Sequence, residues 1–442
     1  MGLVSKNRKT GALARGYRLG KLGFSLMVSY VGYQAQNLLL GEGERAQRQV
    51  RFQQRASRRV RDELGTLKGA VMKLGQLLSM QSHILPEGAW QELAHLQMRA
   101  PGMHASLARA QFKSALGKYP EEAFREFDPE PFAAASLGQV HRAITLDGEK
   151  VAVKTQYPAI RSAIENDFKL LRSATLPGNL TGHLPVALLN EIQRGFLEET
   201  DYLHEADNLD FFRQALSSLS YLAIPRVYRE LTSDCVLTMS YLQGETVEDF
   251  LKRKPSSALR DLIGTRLVEM YYTQLHWLKA IHADHHPGNY LFRADGRIGL
   301  VDFGCVKRIT FDISDLLHCC SRQTWRQGEP AGRHVVKLIF GPDVPYKRAR
   351  KILPALDQAA DILYAPSSSA SRVVNFGQPR MLEILTQSMV QALRDRVTNP
   401  EFAFISRADL GLYHLLHQLG ARVDVGGIWR RVSGAPSIGA YE

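Results

Sequence analysis

His282-Ala283-Asp284-His285-His286-Pro287-Gly288-Asn289, followed downstream by Asp302-Phe303-Gly304, is the stretch that decides the fold of this 442-residue chain. An Asp with an Asn five residues on, then strand-type runs Tyr290 to Phe292 and Ile298 to Val301 around Asp295-Gly296, then Asp-Phe-Gly, is what phosphoryl transfer from nucleotide and magnesium requires. Asp284 would orient or deprotonate the acceptor, while Asn289 and Asp302 would offer hard oxygens to one or two Mg²⁺. Asp-Phe-Gly alone arises by chance; joined to His-x-Asp-x₄-Asn across a hairpin it is specific. The competing reading makes Asp302 a turn carboxylate, Asn289 a plain Asx turn and His282, His285 and His286 a metal cluster.

Working upstream, Val151-Ala152-Val153-Lys154 reads as a strand whose alternation puts Ala152 and Lys154 on one face. Lys154 would reach the α- and β-phosphates while Ala152 leaves room for adenine. A lysine of this kind needs a carboxylate to hold it, and a helical stretch from Glu191 to Gln214 offers Glu199, Asp201 and Glu205, with Asp201 and Glu205 four apart on one face. A phosphate loop should precede the lysine strand. Ala133-Ala134-Ala135-Ser136 stands there in place of glycines, followed by Gln139-Val140-His141. Alanine lets backbone approach phosphate but disfavours the positive φ values open to glycine, so this loop is expected to be stiff.

The rest of the chain frames these motifs. At 45% apolar and 23% charged it is ordinary globular material with room for two or three packed units. Four cysteines without Cys-x-x-Cys spacing and without His partners at zinc-finger spacing argue against structural disulfides and a zinc site. Net charge is +12, and residues 1–60 hold twelve Lys or Arg against two Glu, so the charge belongs to a tail on a nearly neutral body. Such a tail suits an anionic surface; nucleic acid is not expected as a partner of the whole protein. The uncharged run Leu22 to Gly41 carries too many polar groups to span a bilayer cheaply and suits a helix lying in a membrane interface or docked on its own domain. Lys6 stands where a myristoylation signal wants Ser or Thr, while the acid-free residues 1–21 leave a transit peptide open.

Composition and periodicity divide the chain into a basic, apolar segment 1–45, a helical extension 46–128, a strand-rich lobe 129–243 and a helical lobe 244–442. In the extension Leu67, Val71, Leu74 and Leu78 form one apolar helical face. In the strand-rich lobe Ala223 to Tyr228 and Val236 to Met239 read as strands. From 310 to 425 the pattern is helical, broken at Ala365 to Arg372. The fold class is α+β.

With Lys73-Leu74-Gly75-Gln76 added to the alanine-rich loop, the Val-Ala-Val-Lys strand, Glu199-Thr200-Asp201-Tyr202 and the two downstream motifs, the chain resembles the UbiB/AarF family of atypical kinases. The resemblance implies a bilobal, protein-kinase-like fold with a small β-rich N-lobe, a larger helical C-lobe and a helical N-terminal extension. It implies that Lys154 pairs with Glu205. It also implies that the helix with Lys73 and Gln76 packs over the cleft where a peptide would bind, facing Glu199 and Asp201, and suppresses protein kinase activity. Ala133, Ala134, Ala135, Ser136, Gln139, Val140, Ala152, Lys154 and the hinge residues Met239 and Leu242 would hold ATP or ADP, with Mg²⁺ on Asn289 and Asp302. Two positions depart from the family pattern: His285 replaces an expected proline, and Ser240 stands where the hinge strand usually has an acid.

The resemblance further implies an ATPase or atypical kinase supporting isoprenoid-quinone or other prenyl-lipid metabolism. Its partners would be anionic membrane lipid, a prenyl-lipid or quinone precursor, and quinone-biosynthesis proteins. The place would be cytoplasmic, peripheral at the inner face of a membrane, or the mitochondrial matrix if the N-terminus is a transit peptide. No Ala-Pro-Glu follows Asp302-Phe303-Gly304, so an ordinary peptide-docking segment is not recognisable. A small-molecule kinase and a nucleotide-gated scaffold of a lipid biosynthetic complex are the alternatives.

Overall fold

The computed structural model describes residues 103–135, 137–175, 193–194, 197–342, 344–364, 373–394 and 400–434. Lys73, Gln76, Ser136, the N-terminal basic segment, most of the helical extension and the break at 365–372 lie outside the described residues. The chain divides into two compact units, Met1–His204 with Tyr228–Met239, and Glu205–Val227 with Ser240–Glu442.

The first unit is built on an antiparallel sheet. Strands β1 (Phe124–Phe127), β3 (Gly138–Thr145), β4 (Lys150–Gln156) and β6 (Val236–Ser240) lie in the order β1-β3-β4-β6, and β2 (Ala133–Ala135) pairs with β3. β3 and β4 are joined by the Asp147-Gly148 turn, where Gly148 takes φ 89°. Alternation sorts their side chains. Ala143, Val151 and Val153 turn to a core with Phe124, Val236 and Phe112, the last supplied by helix α1 (Ala105–Leu116). His104 caps α1 by accepting from the Ser106 amide, and Gly117 at φ 74° ends it. Helix α2 (Ile160–Thr175) buries Ile160, Ile164 and Phe168 at helical spacing.

Helix α3 (Tyr202–Ala215) begins in the first unit and continues in the second. It corrects the helical span expected from Glu191: helical turns at 193–194 and 197–199 stop at a turn on Thr200, and α3 starts afresh. Asp201 therefore does not present its carboxylate beside Glu205. Its Oδ1 accepts from the amides of Leu203 (3.0 Å) and His204 (3.2 Å), capping α3, which a short acidic side chain does well.

In the second unit β5 (Leu222–Ala223) pairs parallel to β9 (Ile298–Leu300), which forms an antiparallel hairpin with β8 (Tyr290–Phe292). The strand expected over Ala223 to Tyr228 is split: Ala223 belongs to β5, Val227 forms a single bridge where Tyr228 donates its amide to the Thr238 carbonyl at 2.9 Å, and Pro225 between them has no amide hydrogen to give to a ladder. Helix α4 (Ser257–Thr273) is buried through Ile263, Leu267, Met270 and Tyr271 and runs into a π turn, Gln274–Leu278. Strand β7 (Ala280–His282) follows and pairs with β10 (Val306–Arg308). Helices α5 (Ile313–Arg322), α6 (Glu329–Phe340), α7 (Leu353–Leu363), α8 (Pro379–Arg394), α9 (Pro400–Leu419) and α10 (Val425–Ser433) complete the unit. Val374–Asn375 and Arg422–Val423 form a two-residue strand pair in the region expected to be helical outside the break at 365–372. No helix among the described residues is long and apolar enough to cross a membrane.

Candidate functional site

The alanine run is not an open loop: Ala133, Ala134 and Ala135 pair in register with Val140, Gln139 and Gly138. The Phe132 amide also donates to the Val140 carbonyl at 3.0 Å. Val140 stands opposite Lys154 and Arg142 opposite Ala152 across the next ladder. Directly paired residues share a face, so Ala133, Ala135, Val140, Ala152 and Lys154 form one continuous surface of the sheet. Gly138 closes the hairpin because nothing larger fits, since a Cβ there would lie 2.2 Å from the Thr155 carbonyl oxygen. Lys154 is buried, and its Nζ sits 4.9 Å from the centroid of the Tyr202 ring, within cation–π range.

Gln139 falls on the opposite face. It is buried, and its side chain is spent on the protein itself: Oε1 accepts from the Met103 amide (2.7 Å), while Nε2 donates to the Met103 carbonyl (3.3 Å) and contacts His141 Nε2 (2.9 Å). The structure thus separates Gln139 from Ala133, Ala135, Val140, Ala152 and Lys154, a separation that the two-residue period of β3 already encodes. Met239 is buried on β6, while Leu242 lies in the second unit with Cδ1 against Gly299 of β9. Ser240 is tied to the segment that precedes β6, its Oγ accepting from the Arg226 amide at 2.9 Å and its own amide donating to the Arg226 carbonyl at 2.8 Å. Glu199 is half-buried.

The second unit assembles the motif residues on the loop after β7. Asn289 Nδ2 donates to the Asp284 carbonyl (2.9 Å) and to its Oδ2 (3.2 Å), closing the loop upon itself. His286 Nδ1 accepts from the Gly288 amide (3.0 Å) and caps the 3₁₀ turn Pro287–Asn289. The buried His282 donates from Nε2 to the Asp302 carbonyl (2.6 Å), and its amide donates to Gln274 Oε1 (2.8 Å), so the π turn, the loop and the Asp-Phe-Gly segment are held together. Gly304 donates its amide to Asp302 Oδ1 at 3.1 Å. Phe303 is fully buried against Phe212 and His282. Its amide donates to Glu205 Oε1 (3.3 Å) and its carbonyl accepts from Asn208 Nδ2 (3.1 Å). Helix α3 therefore fixes the Asp-Phe-Gly backbone through Glu205 and Asn208, one turn apart.

The charges are arranged to suit these roles. Burial pushes the Asp284 carboxyl up, but Arg407, with His282 and His286, more than offsets it and holds the group below its ordinary value. Arg407 lies 3.5 Å from Asp284 Oδ1 and arrives from α9, far along the chain, where no local motif announces it. His285 is buried, with Nδ1 bonded to the Tyr290 hydroxyl and its ring edge-on to Tyr271 at 5.3 Å. Burial pushes its imidazole down to about 3, so it is neutral and cannot shuttle protons near neutrality. Gly411 of α9 makes room for it: a Cβ there would lie 3.0 Å from His285 Cβ.

A hard divalent cation fits the residues present. With Nδ2 turned onto Asp284, the Asn289 amide has its carbonyl oxygen left for a cation, and Asp302 carries its carboxylate next to the buried anchor Phe303. Asp302 also lies close enough to Asp284 to raise it by charge repulsion, the situation a shared cation relieves.

The model of the ABC1 atypical kinase-like domain matches residues 95–326. Among curated proteins, an Arabidopsis thaliana chloroplast protein named Activity of bc1 complex kinase 7 is 33% identical over 263 residues, covering 58% of this chain and 38% of that protein. The probable protein kinase UbiB of Tolumonas auensis is 33% identical over 238 residues, covering 52% and 44%. The mitochondrial atypical kinase coq-8 of Caenorhabditis elegans is 26% identical over 388 residues, covering 83% and 49%. These matches span less than half of the relatives' own length. A solved structure, the complex of Rv3197 with erythromycin from Mycobacterium tuberculosis, superposes with a TM-score of 0.60 at 25% identity, covering 88% of this chain and 98% of that one.

Proposed function

The chain belongs to the ABC1 atypical kinase-like family, and from that premise we propose that it binds Mg-ATP and turns it over in support of isoprenoid-quinone or other prenyl-lipid metabolism at a membrane. The observation that carries this reading is the loop after β7. There Asn289 locks onto Asp284, His282 onto the Asp302 backbone, and Arg407 keeps the Asp284 carboxylate ionised. Lys154 is the residue for the α- and β-phosphates, with Ala133, Ala135, Val140 and Ala152 as the surface beside it. Asn289 and Asp302 are the cation ligands; Mg²⁺ bound there would neutralise phosphate charge. Asp284 orients or deprotonates the group that attacks phosphorus, water in an ATPase or a hydroxyl in a kinase.

The names UbiB and coq-8 among the relatives support the link to quinone metabolism, and the basic residues within 1–60 support an anionic bilayer as the working surface. Lys73 and Gln76, with Glu199 and Asp201, are the residues proposed to restrain protein phosphorylation. The test is phosphate release from Mg-ATP by the purified full chain, with and without anionic liposomes and a quinone-precursor phenol. Turnover that rises with lipid and disappears in Asp302→Asn is the expected result. An Asp302→Asn protein as active as its parent defeats the reading, and phosphate transferred to a polar metabolite converts it to a small-molecule kinase.

A further inference from the structure

Away from the phosphate-handling residues, two helices of the second unit bring together an aspartate, a cysteine and a histidine. Asp315 and Cys319 are one helical turn apart on α5 and share a face, and His334 stands on α6. His334 Nε2 lies 2.5 Å from Asp315 Oδ2, Cys319 Sγ donates to Asp315 Oδ1 at 3.7 Å, and one candidate ligand atom from each residue lies within 4.8 Å of the others. The Cys319 thiol is buried, Asp315 is half-buried and His334 is exposed, so the cluster opens to solvent at one end and finishes on sulfur at the other.

We propose that Asp315, Cys319 and His334 bind a divalent cation of the zinc class, with water as the fourth ligand. The donor set selects the metal: thiolate, imidazole and one carboxylate suit Zn²⁺, whereas Mg²⁺ and Ca²⁺ demand oxygen throughout. This separates the cluster chemically from Asn289 and Asp302. Bond lengths of about 2.0–2.3 Å around a tetrahedral ion put neighbouring donors about 3.3–3.6 Å apart. The Cys319 Sγ–Asp315 Oδ1 spacing of 3.7 Å lies just outside that range. His334, on an exposed side chain, has to give up its 2.5 Å contact with Asp315 Oδ2 for an ion to enter between them. An ion pair explains Asp315 with His334 but leaves unexplained why a buried thiol is aimed at the same carboxylate. Binding replaces the Cys319 proton with the metal and releases that proton to solvent. The bound ion cross-links α5 to α6 directly downstream of the Asp-Phe-Gly segment and β10.

The test uses the full chain in excess Mg²⁺, which occupies hard-oxygen positions, with Zn²⁺ competed against a chromophoric chelator and Co²⁺ as an optical probe. One equivalent of Zn²⁺ is expected to bind, weakened at least about tenfold by Cys319→Ser and by His334→Gln, and unaffected by Cys320→Ser. The Co²⁺ form is expected to show a thiolate charge-transfer band that Cys319→Ser removes. Failure to bind one equivalent, or affinity and Co²⁺ spectrum untouched by both Cys319→Ser and His334→Gln, overturns the proposal. If Cys319→Ser does not fold, the exposed His334→Gln variant decides alone, with circular dichroism confirming its fold.

Discussion

A methyl group at position 138 would meet the Thr155 carbonyl oxygen at 2.2 Å, so Gly138→Ala forces β3 and β4 apart at the start of β3, beside the β2–β3 turn. We expect a loss of ~1–3 kcal/mol, read as a lower urea midpoint. His285 makes a different prediction. Its folded value of about 3 lies below the 6.5 of an ordinary imidazole, so between the two the unfolded chain takes up a proton that the folded chain refuses. Stability is therefore lost as pH falls below about 6.5, and His285→Gln should flatten that slope in urea titrations across the acid range. His141 and His282, also pushed down by burial, keep part of it. Asp409 acts with the opposite sign. Burial raises it to about 7 from 3.8 despite a bond from Tyr271, so its contribution is full below the lower value and is lost as pH rises through 7. Asp409→Asn should accordingly gain on its parent above neutrality.

At the scale of elements, α3 shows what a cap does. Asp201→Ala should cost ~1 kcal/mol by leaving the Leu203 and His204 amides without their acceptor. This was the part of the fold that sequence could not deliver: helical spacing places Asp201 above Glu205 equally well in a continuous helix and in one that begins anew at Tyr202. The strands carrying Val140 and Lys154 were legible, because alternation over seven or eight residues leaves one register that buries Val151 and Val153. The two-residue strands at Val374–Asn375 and Arg422–Val423 are too short for any periodicity. Within the candidate site, the closeness of Asp284 and Asn289 was legible because it depends on spacing along one loop. Arg407 was not, since a contact across more than a hundred residues leaves no local trace.

Over the whole molecule, Lys154 belongs to the first unit and Asp284, Asn289 and Asp302 to the second. Lys154→Arg is expected to weaken nucleotide affinity while leaving stability near that of the parent, measurable by nucleotide titration beside a urea curve. The charge of residues 1–60 predicts that the full chain sediments with phosphatidylserine-rich vesicles at low salt and is released as the Debye length shrinks below about 8 Å. The pairing of Ala133–Ala135 with β3 has a consequence for how nucleotide would arrive. A segment already held in a ladder has little ordering entropy left to lose, so those of its amide hydrogens that are donated to β3 should exchange slowly before ligand is added. Nucleotide should slow them little further, and association should run at the rate of diffusion into a preformed surface instead of waiting for a flap to fold down.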